Sequence, residues 1–291
     1  MEYVTLSNGI QMPKLGFGVF QISKEECEQC VLEAIQVGYR HIDTAQSYFN
    51  EEEVGNAISK CGVPREELFV TTKVWIDNYG YEKAKESVLT SMKKLKTDYI
   101  DLVLLHQPFS DYYGAYRALQ ELYREGKIRA IGVSNFAPDR LADMIAFNEI
   151  APHVNQVEVN PLHQQLEAQK NMEKRNVQIQ AWAPFGEGRN NMFHNPVLKE
   201  IGEKYNKSIA QIILRWLMQR NIVALAKSTH VERMKENIEI FHFELLNEDM
   251  EKISQLDTKN SLFFNHQTAE AVDMFVNLIQ DRKGRENNER K

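Results

Sequence analysis

No window of this chain holds 18 uninterrupted apolar residues, so nothing in it reads as a membrane span. Met1 to Thr5 carries neither the positive charges nor the apolar run of a secretory leader, and the protein is expected to be cytoplasmic. Cationic excess is also missing. Lys and Arg number 35 against 41 Asp and Glu, a net charge of -6, and they are scattered, which excludes the basic stripe that a phosphate backbone requires. There are three cysteines. Cys27 and Cys30 have redox-motif spacing, but they fall inside an amphipathic helical pattern with no second pair nearby and read as reduced helix thiols. No H-x-H, H-E-x-x-H or second carboxylate cluster completes a metal site around His41 and Asp43, so no metal is expected. The glycine fingerprint of an open dinucleotide-binding sheet is absent too, since Gly16-Phe17-Gly18 and Gly186-Glu187-Gly188 each lack the third glycine.

What is present is a repeat. Thr5 to Pro13 reads as a short hairpin around Asn8-Gly9, a strong two-residue turn signal. After it, short apolar runs alternate with longer 3.6-periodic stretches, beginning with Leu15–Phe20 before a helix over Ser23–Val37 and ending with Ile222–Ala226 before a helix over Val231–Ile240. Eight such units at intervals of roughly 30 residues predict a closed (β/α)8 TIM barrel rather than a doubly wound open sheet. No composition shift divides them, so residues 1–291 are expected to form one barrel domain, with a variable tail or loop from about residue 260. The longest insertion, Pro184 to about Lys207, is expected to be a loop over the ligand. Asp281 to Lys291 is charged enough to predict partial disorder.

Three strand ends supply polar residues where a barrel strand should be apolar: Asp43 on the second, Lys73 on the third and His106 on the fourth. Singly, each has a structural explanation in an ion pair or a closing residue. Together they converge, because the carboxyl ends of neighbouring barrel strands share one pocket. Tyr48, five positions after Asp43, lies at the mouth of the following helix and reaches the same place. A phenol ionises near ~10 in isolation. A lysine ammonium beside it should lower that value, and a carboxylate should keep the lysine charged, making Tyr48 a general acid. His106 would orient the substrate oxygen.

These residues, with His41-Ile42-Asp43-Thr44-Ala45, Leu105-His106-Gln107-Pro108, Ile131-Gly132-Val133-Ser134-Asn135-Phe136 and Ala226-Lys227-Ser228, closely resemble the aldo-keto reductases over roughly Val4 to Phe264. Through His106-Gln107-Pro108-Phe109 and Trp182-Ala183-Pro184-Phe185-Gly186 the chain also looks like the bacterial branch that includes the 2,5-diketo-D-gluconate reductases. The resemblance implies a (β/α)8 barrel that reduces small-molecule aldehydes and ketones with NADPH. Asp43, Tyr48, Lys73 and His106 match the family's catalytic tetrad. Ser134, Asn135 and Gln156 match the groups around the nicotinamide carboxamide, and Trp182 the stacking aromatic, although a Trp there otherwise reads as barrel filling. Lys227, Ser228, Arg233 and Asn237 match the adenosine and 2′-phosphate site. Phe20, Trp75 and Gln107 match substrate walls, Gln107 standing where many animal members have Trp. Glu187 departs from the pattern: it falls in the loop over the pyrophosphate, where it would repel the ligand unless it points away or pairs with Arg189. A monomer, or at most a weakly associating protein, is expected. The resemblance leaves open a non-catalytic, NADPH-sensing regulatory subunit of the same fold, and a metal-dependent barrel hydrolase is the more distant rival.

Overall fold

The computed structural model describes residues 1–289. Tyr3–Thr5 (β1) and Gln11–Pro13 (β2) form the antiparallel hairpin, in register Val4 to Met12. Eight parallel strands follow: Leu15–Gly18 (β3), His41–Asp43 (β4), Phe69–Val74 (β5), Ile100–Leu105 (β6), Ile128–Ser134 (β7), Val154–Glu158 (β8), Gln178–Trp182 (β9) and Val223–Ala226 (β10). Their order runs β10-β3-β4-β5-β6-β7-β8-β9 and closes on itself. The fold is the (β/α)8 TIM barrel expected. β5 and β6 are buried at every position, as parallel strands covered on both faces must be.

A helix follows each strand, as the repeat requires, beginning with Lys24–Val37 (α1), within the predicted Ser23–Val37, and continuing with Glu51–Lys60 (α2), Tyr81–Lys94 (α3), Tyr112–Arg124 (α4), Pro138–Ala146 (α5) and Leu166–Lys174 (α6). Local chemistry sets their limits. The Ser23 hydroxyl accepts from Glu26 N to start α1, and Gly38, at φ 119°, ends it in the left-handed region. Glycine is required at one packing point, since a Cβ on Gly55 of α2 would lie 2.1 Å from Lys94 O at the end of α3. Cys27 and Cys30 are free and buried in α1, where burial pushes the Cys27 thiol up to about 12.

Three helices were not foreseen. The insertion after β9 is not all loop: a 3-10 run over Gly186–His194 passes into a helix at Pro196–Tyr205 (α7), capped by Asn195 Oδ1 accepting from Val197 N and Leu198 N. Ile209–Gln219 (α8) and Val231–Ile238 (α9) are as expected, but Asn247–Ser254 (α10) and Ala269–Glu289 (α11) extend beyond the repeat. The charged stretch from Asp281, expected to be partly disordered, continues α11 as far as Glu289, and its last two residues lie outside the described ones. No helix among the described residues is long and apolar enough to cross a membrane.

Two-residue periodicity positions the site. Residues facing into the barrel are apolar low on the strands, where Phe69, Leu102, Leu104, Ala130, Val154 and Val223 pack with Val4, Leu6 and Met12 of the hairpin region. Two or four residues higher on the same faces stand Thr71 and Lys73, His106, Ser134, and Gln156. The barrel is therefore dry and plugged at one end and polar at the other.

Candidate active site

Lys73 organises the polar end. It is fully buried, and its ammonium can only donate. Its three acceptors are Asp43 Oδ1 at 2.5 Å, Thr44 O at 2.9 Å and Tyr48 Oη at 3.3 Å. Asp43 Oδ2 accepts from Gln156 Nε2 at 3.0 Å across the barrel, the pattern of an ionised carboxylate. Because Tyr48 Oη accepts from Lys73, its own proton is left for another partner. Burial works against the Lys73 ammonium, but Asp43 and Tyr48 outweigh it and hold its pKa above the ordinary lysine value. Burial raises the Asp43 carboxyl, with Lys73 and Gln156 opposing it.

One expectation about Tyr48 is reversed here. Lys73 does pull the phenol's pKa down, but burial, supported by the Asp43 charge, outweighs it and the net direction is up. Tyr48 is consequently held in its protonated form, which is the form a proton donor needs.

Tyr48 ends a 3-10 turn, Gln46–Tyr48, that the sequence reading placed only as the mouth of α2. Gln46 fixes that turn by accepting from Trp75 N at 3.0 Å and Asn78 Nδ2 at 2.8 Å. Ser47 Oγ lies 3.3 Å from His106 Nδ1, so Nε2 is the ring nitrogen without a hydrogen bond among the described residues. Burial, with the Lys73, Arg282 and His266 charges adding to it, holds the His106 pKa well below the usual histidine value, and the ring is neutral. Tyr48 and Trp75 both meet it edge-on, at 5.6 and 5.2 Å between centroids.

A cavity of about 500 Å³ opens above these groups. Asp43, Tyr48 and His106 lie at its floor. Ser134, Asn135, Gln156, Trp182, Leu225 and Lys227 line one direction, and Phe20, Trp75 and Gln107 another. Asn135 takes φ 64° and spans several walls: its Nδ2 donates to His106 O and Gln107 Oε1, and its Oδ1 accepts from Trp182 Nε1 at 2.8 Å. Tyr79 holds Gln107 in place, donating to its carbonyl at 2.8 Å and accepting from its N–H at 3.0 Å. Phe20 is 47% exposed and packs on Tyr48 at 4.9 Å.

The adenosine-side residues are less converged. Lys227 lines the cavity, but Ser228, Arg233 and Asn237 do not. The Ser228 hydroxyl closes a local turn with His230, Arg233 is exposed on the first turn of α9, and Asn237 is buried. Arg189 does not pair with Glu187. It donates to Leu262 O and lies over the Phe263 ring at 4.3 Å, while Glu187 stays on the cavity wall.

Several contributors escaped the sequence reading. Gln180 accepts from Gln156 Nε2 at 3.0 Å and faces inward at the same level on the next strand, a position that strand periodicity could have flagged. Phe263, Phe264, His266, Phe275, Leu278 and Arg282 line the cavity from the segment beyond residue 260, where no pattern marked them. Among the described residues no group of three or more His, Cys, Asp and Glu could hold a metal ion.

A sequence profile of the Aldo/keto reductase family matches residues 14–258. The chain is similar to the glyoxal reductase of Bacillus subtilis strain 168, 46% identical over 258 residues that cover 88% of this chain and 93% of that protein. It is 39% identical to the methylglyoxal reductase of Escherichia coli strain K12 over 257 residues, 87% of this chain and 93% of the relative. A solved aldo-keto reductase from Bombyx mori in complex with NADP superposes with a TM-score of 0.87 at 34% identity, covering 90% of this chain and 95% of that one.

Proposed function

The chain belongs to the aldo/keto reductase family of oxidoreductases, and from that premise we propose that it reduces small aldehydes and ketones to alcohols with NADPH, Tyr48 giving the proton. The observation that carries this reading is the single-direction hydrogen bond from Lys73 to Tyr48 Oη, which leaves a protonated phenol with its hydrogen available at the floor of the cavity. The glyoxal and methylglyoxal reductases among the relatives support short 2-oxoaldehydes as the first substrates to try.

The residues present suit a nicotinamide dinucleotide. The cavity runs from amide and hydroxyl groups at Ser134, Asn135 and Gln156, past the Trp182 ring, to a cation at Lys227, and its size is in the range of about 300–1,000 Å³ usual for ligand sites. When bound, NADPH supplies the hydride. The rest falls to the chain: Tyr48 protonates the carbonyl oxygen, His106 donates to that oxygen from its neutral ring, and Lys73 and Asp43 hold Tyr48 in place. Phe20, Trp75 and Gln107 bound the substrate. Consumption of NADPH absorbance with glyoxal and methylglyoxal tests the reading, and absence of turnover with every aldehyde offered would favour a non-catalytic NADPH-binding role.

Preference for the 2′-phosphate is assigned to Lys227 and Arg233. Arg233 stands in the first turn of α9, where a helix amino terminus favours anions, and a guanidinium meets two phosphate oxygens at once. Arg233→Ala should weaken NADPH about 10- to 100-fold, the range of charge-assisted hydrogen bonds, and NADH far less. Titrations followed by tryptophan fluorescence measure both, and equal losses would make Arg233 an adenine or packing contact.

A further inference from the structure

The family profile stops at residue 258, yet the chain returns to the cavity after it. In α11, Ala271 and Phe275 are buried and Ile279 and Arg282 half-buried, while Val272, Met274 and Val276 are exposed. That spacing of four, four and three is one helical stripe, and Phe275 and Arg282 of it line the cavity. Phe275 anchors the helix, with its ring 5.9 Å from Trp75, 5.3 Å from Phe109 and 5.7 Å from Phe264.

The stripe ends in a cation. The Arg282 guanidinium sits 4.8 Å from the Trp75 ring centroid and 5.1 Å from that of Phe49, and it lines the cavity. Trp75 in turn stands edge-on to His106 at 5.2 Å, so one indole separates Arg282 from the floor. Burial works against the guanidinium's charge and outweighs the nearby Asp77 carboxylate, which favours it. The other cavity walls that α11 supplies, Phe275 and Leu278, are apolar, and although Arg282 also borders a polar cleft with Asp77, Lys83 and Glu86, a guanidinium over a ring can still turn its fork of donors to a planar anion.

We propose that Arg282 is a specificity-determining residue that binds an oxyanion, carboxylate or phosphate, carried by the carbonyl substrate several bonds from the group reduced beside Tyr48 and His106. The proposal rests on the reduction reading above and refines it: the preferred substrates are anionic aldehydes or ketones, with the charged end under α11 and the carbonyl on the far side of the Trp75 ring.

The test uses the full chain and matched pairs, succinate semialdehyde against butanal and glyceraldehyde phosphate against glyceraldehyde. Arg282→Ala should lower kcat/KM for the charged member roughly 10- to 100-fold and leave the neutral one within about twofold, with Arg282→Lys in between. Whichever pair responds identifies the oxyanion. Charged members unaffected in both pairs, or a parallel fall of charged and neutral members in both pairs, overturns the proposal, the latter making Arg282 a packing residue of α11. Succinate and inorganic phosphate, titrated against tryptophan fluorescence, read binding without turnover. If the wild type reduces no aldehyde, the reduction reading falls. Arg282 is then judged by these titrations alone: binding lost in Arg282→Ala supports it, and binding unchanged, or absent in the wild type, overturns it.

Discussion

Replacing Tyr48 by Phe should lower the rate of carbonyl reduction by about 10²- to 10⁴-fold, the scale of losing a positioned general acid, while NADPH binds as before. The change removes one oxygen and keeps the ring, so the contacts with Phe20 and His106 at 4.9 and 5.6 Å survive. Lys73 keeps Asp43 Oδ1 and Thr44 O as acceptors. The floor should therefore stay folded and charged, and the loss should appear in turnover rather than in cofactor affinity. Single-turnover reduction together with a cofactor titration measures the two separately. A variant that keeps more than about a tenth of the wild-type rate would move the donor role elsewhere, with His106 the nearest alternative.

Lys73→Met has the largest expected effect on stability. It removes the cation from a buried pair and leaves Asp43 desolvated with Gln156 as its one remaining side-chain donor among the described residues. Breaking such a pair from one side typically costs about 3–5 kcal/mol. The pH dependence follows from the direction of the Asp43 shift. Burial already raises its pKa in the wild type, and losing Lys73, which opposes burial, raises it further. A carboxyl with a folded pKa above its unfolded value contributes stability below the unfolded pKa and loses it as pH rises through the folded one. The variant's deficit should thus be greatest near about pH 8 and shrink towards about pH 5. Urea unfolding at the two pH values checks it, and a deficit that does not vary with pH would mean that Asp43 does not take up the proton. Catalysis should fall as well, since Tyr48 loses the donor that orients its hydroxyl.

The barrel and its floor were legible because both are periodic. Lys73 and His106 interrupt aliphatic strands at their carboxyl ends, and Asp43 ends a short one. Parallel strands place such interruptions side by side. The unforeseen parts share a different character. α7 begins with Asn195-Pro196, an N-cap and N1 pair that should have marked a helix, but the Gly- and Asn-rich run before it reads as loop. α11 has only a weak stripe, and its aromatic partners Trp75 and Phe109 lie more than 150 residues earlier in the chain. Arg282 accordingly reads as one more charge in a charged tail, and its place over an indole is a property of tertiary packing alone. The pKa of Tyr48 was misjudged for a related reason. A sequence shows which charges are neighbours but not how far water is excluded from them.

The hairpin that plugs the lower end of the barrel has a consequence for the order of assembly. Asn8 Nδ2 bonds Arg129 O at 2.9 Å and Glu2 bonds Arg215 at 2.9 Å, so this segment waits during synthesis for partners made more than 120 and 210 residues later. An isolated two-stranded hairpin is marginal in water. Val4, Leu6 and Met12 therefore stay wet until the barrel strands above them exist, and the amino terminus is the last part of the barrel to lock rather than the first. During synthesis the nascent chain carries an exposed apolar hairpin, and a slow seating step should follow the emergence of β10.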